Sequence, residues 1–245
     1  AGVAKLAAEG PAKTSYTLID SRPLLRFQEG AIPGAIHLPF IGFDKFVDRL
    51  PKDKSQLIVF YCGGITCTLS PNSLKKAKLL GYTNLRVYRE GQPEWATRNY
   101  QVTTPEFVKL AYVDRDIPHV MVDARSAEDA ASGHIKSAVS VPAGKEQAIT
   151  KSLPPAKLKA PIIVYDGRGG EQAVTVAKAL IKAGQQNVLV LDGGIGMRSE
   201  VRDGVYTGRP AGPFTYREGK AQAIRELAER EVSQGTRMNK VTQLS

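Results

Sequence analysis

The chain has 245 residues and two cysteines, Cys62 and Cys67, which both lie in one short glycine-bearing segment. The run Leu57–Tyr61 before them is apolar and rich in β-branched and aromatic residues, which predicts a buried strand. After them, Ser70 and Pro71 are typical of an N-cap followed by proline at the first helical position. The sequence therefore predicts a thiol at the end of a strand, in a turn that faces the start of a helix.

A thiol in such a turn is a candidate nucleophile. Backbone N–H groups of the turn converge on the group that the sulfur carries, and the positive end of the helix reinforces them. We therefore predict a pKa of the Cys62 thiol below its ordinary value of about 8.5, which favours the thiolate, the form that attacks sulfur or phosphorus. The alternative is a buried cysteine that acts as a small hydrophobic residue. The adjacent Gly63 and Gly64 favour the reactive thiol, because a packing cysteine needs no such turn.

The second thiol, Cys67, lies five positions after Cys62. It is a candidate resolving thiol, which would attack a persulfide or sulfenic acid on Cys62 and close a disulfide. Two other interpretations remain open. Cys67 is either a spectator whose sulfur points into the domain, or half of a fixed disulfide in an oxidising compartment.

The chain consists of two copies of one unit, because several segments recur at a nearly constant offset. Residues 30–39 recur as residues 133–142, and residues 81–87 recur as residues 184–190, each 103 positions later. Since the linker between the copies is very short, we expect the two units to pack against each other. We predict a first unit over residues 1–100 with the cysteine loop, a second unit over 101–207 without it, and an extension over 208–245 with a charged helix.

Apolar strand patterns alternate with helical patterns in each copy. In the first, we predict strands over residues 16–20, 36–38, 57–61 and 85–88, helices over 43–50 and 74–80, and a short helix or turn over 22–29. This alternation predicts the α/β class, with two domains that each contain a mainly parallel sheet flanked by helices. The reactive site of such sheets lies beyond the carboxyl ends of the strands, where Cys62 falls.

The charge and hydrophobicity of the chain indicate which classes of partner it can bind. The net charge is +10, but lysines and arginines are spread along the chain and not interleaved with aromatic residues, so we expect no nucleic acid partner. The basic surface favours small anions. No stretch approaches the ~20 apolar residues that span a bilayer. A start at Ala1 agrees with a removed signal peptide or with a trimmed chain, and we expect a periplasmic or extracellular protein, with a cytoplasmic one as the alternative.

Four segments of the first unit carry a resemblance to a known family. They are Asp20-x-Arg22, Phe27–Pro39, the strand and loop around Cys62, and Gly81–Trp95. Together they resemble the rhodanese domain, and with a weaker version in the second unit the chain looks like a tandem-domain rhodanese. The resemblance implies a sulfurtransferase. In that reaction a cysteine thiolate takes sulfane sulfur from a donor, holds it as a persulfide and passes it to a nucleophilic acceptor.

The loop residues fit the chemistry that the resemblance implies. Loop amides would surround the outer sulfur of a persulfide, two threonine hydroxyls add donors, and no metal or organic cofactor is needed. Arg22 is a further candidate contact for an anion, although its repetition as Arg125 favours a structural role. The candidate catalytic residue is Cys62, and the candidate substrate-binding residues are Gly63, Gly64, Ile65, Thr66, Cys67, Thr68 and Arg22.

Three features depart from the family pattern. Many rhodaneses place arginine second and sixth in the loop, where this chain has Gly63 and Cys67, so we expect a polysulfide or persulfide donor rather than thiosulfate. Familiar tandem sulfurtransferases carry the cysteine in the C-terminal copy, whereas here it lies in the N-terminal copy. The second copy has Asp166 in place of the thiol, and an aspartate cannot carry sulfane sulfur. We expect that copy to be silent, as structural support or a docking surface.

Two functions from different classes follow. The first is a single-site sulfurtransferase that acts on a small anionic sulfur substrate through Cys62. The alternative is a non-catalytic rhodanese-fold binding module in a larger envelope or extracellular assembly. It would contact a protein partner through the second copy or through the helix predicted over residues 218–232. The missing loop arginines favour the binding module, and the intact Cys62 favours the enzyme.

Overall fold

The computed structural model describes residues 16–115, 117–147, 153–168, 170–196 and 205–206. Within these ranges the chain forms two α/β units that follow one another along the sequence, as the repeat predicts. None of the helices in this part of the chain is long and apolar enough to cross a membrane. The helix predicted over residues 218–232 lies outside the described residues.

The first unit is built on a parallel sheet. Its strands are β1 (Tyr16–Asp20), β2 (Ile36–His37), β3 (Leu57–Tyr61) and β4 (Leu85–Tyr88), in the order β2-β1-β3-β4. Alternate residues of β3 enter two apolar clusters, with Ile58 and Phe60 in one and Val59 and Tyr61 in the other. Because successive side chains of a strand point to opposite faces, the sheet is covered on both sides.

Helices of the first unit cover this sheet. They are α1 (Leu24–Glu29), a 3-10 helix (Phe43–Arg49), α2 (Leu69–Leu79) and α3 (Gly91–Arg98). The predicted start of α2 is wrong, because Thr68 occupies the N-cap position and Ser70 and Pro71 lie inside the first turn. Proline is tolerated there, since the first amides of a helix have no intrahelical partner. Ser70 does not cap the helix, because its hydroxyl lies against the sulfur of Cys62.

The second unit repeats this architecture. The strands β5 (Gln101–Thr103), β6 (Val120–Asp123), β8 (Val139–Ser140), β9 (Ile162–Tyr165) and β10 (Val188–Leu191) form a parallel sheet in the order β5-β10-β9-β6-β8. The short strands β7 (His134–Ile135) and β11 (Val205–Tyr206) pair antiparallel. The helical segments are α4 (Pro105–Phe107), which continues as a π-helix (Val108–Asp114), α5 (Ala127–Ser132), α6 (Glu171–Lys182), and two 3-10 turns (Ala156–Leu158 and Gly194–Gly196).

Equivalent strands pair through equivalent residues in the two sheets, which confirms the duplication. Ile19 lies opposite Ile36 in the first sheet, and Val122 lies opposite Val139 in the second, each 103 positions further on. Equivalent strands therefore end at equivalent points. The carboxyl ends of β3 and β9, where Cys62 and Asp166 follow, are the same place in the two units.

The units contact each other where the first leads into the second. Ala31 and Val102 exchange backbone hydrogen bonds of 2.8 and 2.9 Å. Gly30 permits this approach, because a Cβ there would lie 2.6 Å from the side-chain oxygen of Gln101. The strand β5 that makes this contact also pairs with β10, so the junction joins the first unit directly to the second sheet.

Candidate active site

Cys62 follows β3 directly, at the carboxyl end of a central strand, as the sequence predicts. Its residue is buried, with 1% of its surface exposed, whereas Ile65 in the same loop is 65% exposed. Thr66 and Thr68 are also exposed. The sulfur therefore lies beneath a loop whose outer residues face solvent.

Ser70 and Cys67 contact the sulfur of Cys62. Its Sγ lies 3.0 Å from the hydroxyl oxygen of Ser70, and the thiol donates to the carbonyl oxygen of Cys67 at 3.5 Å. The contact with Ser70 is not predicted from the sequence, because a serine before proline is typical of a helix cap. The signal for it is geometric. Side chains in the first turn of a helix tilt towards its N-terminus, so a serine placed there points back at the loop.

Burial raises the pKa of the Cys62 thiol above its ordinary value. The neighbouring side chain of Cys67 raises this pKa further, whereas the hydroxyl and the backbone N–H of Ser70 lower it. The predicted fall of the pKa is therefore wrong. Removal of the sulfur from water penalises the thiolate more than the donors around it favour it, so the resting form at neutral pH is the thiol.

The first turn of α3 holds the cysteine loop. The backbone N–H of Gln92 donates to the carbonyl of Cys62 at 3.0 Å. Gly91 has a φ of +64°, and a Cβ on it would lie 2.9 Å from the backbone nitrogen of Gly64. Both the left-handed conformation and the close approach require glycine at this position. The sequence does not predict these contacts, because the fold brings the two segments together.

Some of the residues predicted to bind substrate already make hydrogen bonds within the protein. The N–H of Cys67 is used within the loop, where it donates to the carbonyl of Gly64 at 3.0 Å. The guanidinium of Arg89 donates to the carbonyl of Ile65 at 3.1 Å, which brings one positive charge to the outer side of the loop. Cys67 is a half-buried thiol without a disulfide. Its resolving role remains a prediction.

Arg22 is engaged by the protein itself. Its guanidinium donates to the carboxylate of Asp20 at 2.7 Å and to the carbonyl of Gly30 at 2.7 Å, and the residue is 6% exposed. In the second unit, Arg125 binds the carboxylate of Asp123 in the same way, at 2.6 Å. Because the unit without a thiol keeps this arrangement, the structure favours the structural role, and a contact of Arg22 with substrate remains a prediction.

Asp166 occupies the equivalent position in the second unit. Its buried carboxylate accepts hydrogen bonds of 2.9 to 3.1 Å from the backbone N–H groups of Arg168, Gly170 and Ala173. Three donors from the loop and the first turn of α6 thus converge on one acidic group. This is the convergence that the strand, turn and helix pattern predicts for an anion at this junction.

We call the segments 62–70 and 166–173, each of which leads from a central strand into a helix, the two junctions. They correspond residue by residue where the helix begins. Ala173 matches Ser70 at the offset of 103, while Asp166 matches Cys62 at 104, so the loop of the first unit is one residue longer. The N–H of Ala173 donates to the Asp166 carboxylate, and the N–H of Ser70 favours the charged form of the Cys62 sulfur. Both units therefore have a backbone N–H donor at the start of the helix. It faces a carboxylate in the second unit and a sulfur in the first.

Comparisons with known proteins agree with this duplication. The model of the family described as Rhodanese-like domain matches residues 3–98 and 108–196. An HTH-type transcriptional regulator from Mycobacterium tuberculosis is 35% identical over 79 residues, which are 32% of this chain and 34% of that protein. The match therefore spans about a third of the regulator's length.

Among solved structures, thiosulfate sulfurtransferase from Pseudomonas aeruginosa is 20% identical over 89% of this chain and 46% of its own, with a TM-score of 0.36. A structure described as rhodanese with anions from E. coli is 22% identical over 30% of this chain and 85% of its own, with a TM-score of 0.28. The family model covers most of the chain, in two matches that coincide with the two structural units. The chain belongs to the rhodanese-like domain family and carries two such domains in tandem.

Proposed function

We propose that this protein is a sulfurtransferase that carries one sulfane sulfur at a time as a persulfide on Cys62. The observation that supports the proposal best is the equivalence of Cys62 and Asp166. Backbone donors meet an acidic group after the central strand of the second unit, and the first unit has a thiol at that point. A persulfide on Cys62 is an anion of diffuse charge, which such donors stabilise.

The reaction has two displacement steps. In the first, the thiolate of Cys62 attacks the outer sulfur of a persulfide or polysulfide donor. The new S–S bond forms as the donor's own S–S bond breaks, and the donor leaves as a thiolate or a shorter polysulfide. In the second, a nucleophilic acceptor attacks the outer sulfur on Cys62, and Cys62 leaves as a thiolate. The hydroxyl of Ser70, 3.0 Å from the sulfur, is placed to donate to that thiolate.

The donor that the loop fits best is a polysulfide or an organic persulfide. The loop from Cys62 to Ser70 contains no basic residue, so a thiosulfate dianion finds no arginine within it. The guanidinium of Arg89 donates to the carbonyl of Ile65, so one cation contacts the outer side of the loop. One such cation suits the single charge of an organic persulfide, or the charge spread along the sulfur chain of a polysulfide, better than the compact thiosulfate dianion, which lacks the arginine pair that binds such oxyanions most strongly.

Intact mass measurement tests the proposal. We expect incubation with polysulfide to add one labile sulfur atom, which reduction removes. Cys62→Ser abolishes the gain, while Cys67→Ser retains it, and thiosulfate loads the protein more slowly than polysulfide. Polysulfide that leaves the mass of the wild-type protein unchanged, at neutral and at alkaline pH, contradicts the proposal.

A second candidate function is a non-catalytic binding module in a larger envelope or extracellular assembly. The burial of Cys62, with 1% exposed and a raised pKa, favours this candidate. It predicts no sulfur uptake and an intact fold in Cys62→Ser. A protein partner that binds the second unit or the extension over residues 208–245 remains a proposal, which cross-linking checks. The periplasmic or extracellular location also remains a proposal, which cell fractionation checks.

A further inference from the structure

A cavity of about 690 Å³ lies beside the cysteine loop, where β1 and β2 end. Two of its wall residues adjoin the neighbours of Cys62. Ser21 donates its N–H to the carbonyl of Tyr61 at 3.0 Å, and Leu69 precedes Ser70, whose hydroxyl contacts the sulfur. Cys62 itself does not line the cavity. The cavity therefore adjoins both ends of the loop that covers the sulfur.

The wall of this cavity is mostly apolar. Phe27 from α1 and Phe46 from the 3-10 helix contribute aromatic rings to it. Leu24 is 55% exposed and Ile41 is 76% exposed, although both are large apolar side chains. A concave site of several hundred Å³ with apolar walls and few polar groups is the usual form of a small-molecule site.

Three polar residues complete the wall, and one of them is charged at neutral pH. His37 is neutral, because burial lowers its pKa, and its Nε2 donates to the carbonyl of Arg22 at 3.0 Å. The hydroxyl of Ser21 is buried and has no hydrogen-bond partner among the described residues. Arg49 carries the charge.

Arg49 is arranged to receive an acidic group. One of its N–H groups donates to the carbonyl of His37 at 2.7 Å, and its guanidinium lies over the ring of Phe46, 4.4 Å from the centroid. These contacts fix the plane of the guanidinium and leave other N–H groups for a carboxylate. The cavity thus combines an apolar wall with one positioned cation.

We propose, on the basis of the function proposed above, that this cavity binds a small organic thiol with an apolar body and an acidic group, and that this thiol accepts the sulfane sulfur from Cys62. The acceptor thiolate attacks the outer sulfur of the Cys62 persulfide. A new S–S bond forms, the S–S bond to Cys62 breaks, and Cys62 leaves as a thiolate that takes a proton from water. The product is the persulfide of the acceptor, and no external oxidant or reductant takes part.

Single-turnover transfer to three soluble thiols tests this proposal. The protein is loaded with polysulfide and freed of excess reagent. It is then mixed with mercaptohexanoic acid, mercaptohexanol or mercaptoethanol while intact mass follows the loss of sulfur. Because buried methylene groups contribute additively, we expect mercaptohexanol to react at least about tenfold faster than mercaptoethanol at low concentration. Mercaptohexanoic acid reacts faster still and saturates.

Variants of the wall assign the effect to the cavity. Leu24→Gln and Ile41→Gln lower the ratio of the mercaptohexanol rate to the mercaptoethanol rate by about threefold or more, since they place an amide against the apolar chain. Arg49→Gln removes the advantage of the acid over the alcohol. Leu79→Gln is the matched control, because Leu79 is 88% exposed at the end of α2 and does not line the cavity, so that variant keeps both ratios.

Binding without chemistry separates this proposal from the one on which it rests. Hexanoic acid, titrated into Cys62→Ser and followed by protein NMR, should shift the methyl resonances of Leu24 and Ile41 and saturate, whereas propionic acid should not. A chain that never takes up sulfur but binds hexanoic acid contradicts the proposed function and leaves the cavity site standing. Equal transfer rates to the three thiols, with no saturable shift by hexanoic acid, overturn the cavity proposal while the sulfurtransferase remains.

Discussion

Cys62 and Asp166 each follow a central strand of a parallel sheet, and each lies under a loop that leads into a helix. The carboxylate of Asp166 accepts hydrogen bonds from three residues of its loop and helix, so the second unit satisfies these donors with its own chain. The thiol of Cys62 instead donates to the carbonyl of Cys67 and lies beside Ser70. The comparison teaches that the fold supplies an anion site. The residue after the strand is an acidic side chain in the second unit and a thiol in the first, where the proposed reaction would form the anion.

The largest effect is expected when the first unit receives the second unit's residue. Cys62→Asp abolishes sulfur uptake completely, because a carboxylate forms no persulfide. The N–H and hydroxyl of Ser70 donate to the new carboxylate and offset part of the cost of burying it, so Tm should fall by less than it does when the side chain is removed. Intact mass after polysulfide treatment and thermal unfolding measure the two results.

Cys62→Ala is the matched control for that substitution, because it removes the thiol without adding an acceptor. We expect Cys62→Asp to unfold at a higher temperature than Cys62→Ala. A lower Tm for Cys62→Asp than for Cys62→Ala would contradict the equivalence of the two junctions, because the first would then be destabilised by an anion that the second binds.

The reverse test removes the anion from the second unit. Asp166→Ala leaves the N–H groups of Arg168, Gly170 and Ala173 without their acceptor. Hydrogen bonds to a charged group each contribute about 1.5–3 kcal/mol, and partial solvation offsets some of this, so we expect a loss of about 3 kcal/mol in the free energy of unfolding. Denaturant unfolding of the two chains measures the loss.

Added sulfate sharpens the same test. An anion that binds the folded state alone stabilises it in proportion to its occupancy, so sulfate should raise the Tm of Asp166→Ala more than that of the wild type. Asp166→Asn keeps one acceptor oxygen and should fall between the two. Equal responses of all three chains to sulfate would show that the backbone donors of this loop do not form an anion site.

The strands that precede Cys62 and Asp166 could be predicted from the sequence, whereas the burial of the Cys62 thiol could not. β1, β3 and β4 have the predicted bounds, because continuous apolar runs between turn residues leave little choice of register. The start of α2 was wrong, because a local cap signal at Ser70 competes with a tertiary contact to Cys62. The sequence indicates the donors near a thiol. It does not indicate how far the fold removes that thiol from water, and this removal decides the direction of the pKa shift.

Ser70 is expected to have the next largest effect, on the rate at which polysulfide loads Cys62. Because the pKa of Cys62 is raised, the thiolate fraction at neutral pH is small, and the loading rate should rise about tenfold per pH unit until it levels off at that pKa. The interactions of Ser70 lower the pKa. Ser70→Ala should therefore shift the plateau to higher pH and slow loading at neutral pH by about tenfold, as expected for a lost hydrogen bond to a charged sulfur.

Ser73→Ala is the matched control for Ser70→Ala. Ser73 lies on the same helix α2 and is fully buried, and its hydroxyl has no hydrogen-bond partner among the described residues. Its removal should leave the pH profile unchanged. A loading rate that does not depend on pH between neutral and alkaline conditions would contradict the raised pKa in wild type.

The smallest effect is expected for Cys67→Ser, since serine keeps the backbone carbonyl that accepts from the sulfur of Cys62 and places a hydroxyl where the neighbouring thiol was. Loading by polysulfide should change by less than about twofold, because one hydrogen bond of unchanged geometry is retained. Peroxide treatment separates the remaining roles of this thiol, because a resolving cysteine traps oxidised Cys62 as a disulfide. Mass spectrometry of non-reduced peptides that finds a bridge between Cys62 and Cys67 establishes that role, and oxidation of Cys62 without a bridge leaves Cys67 as a spectator. Either result sharpens the comparison, because the loop of Asp166 carries no thiol at all.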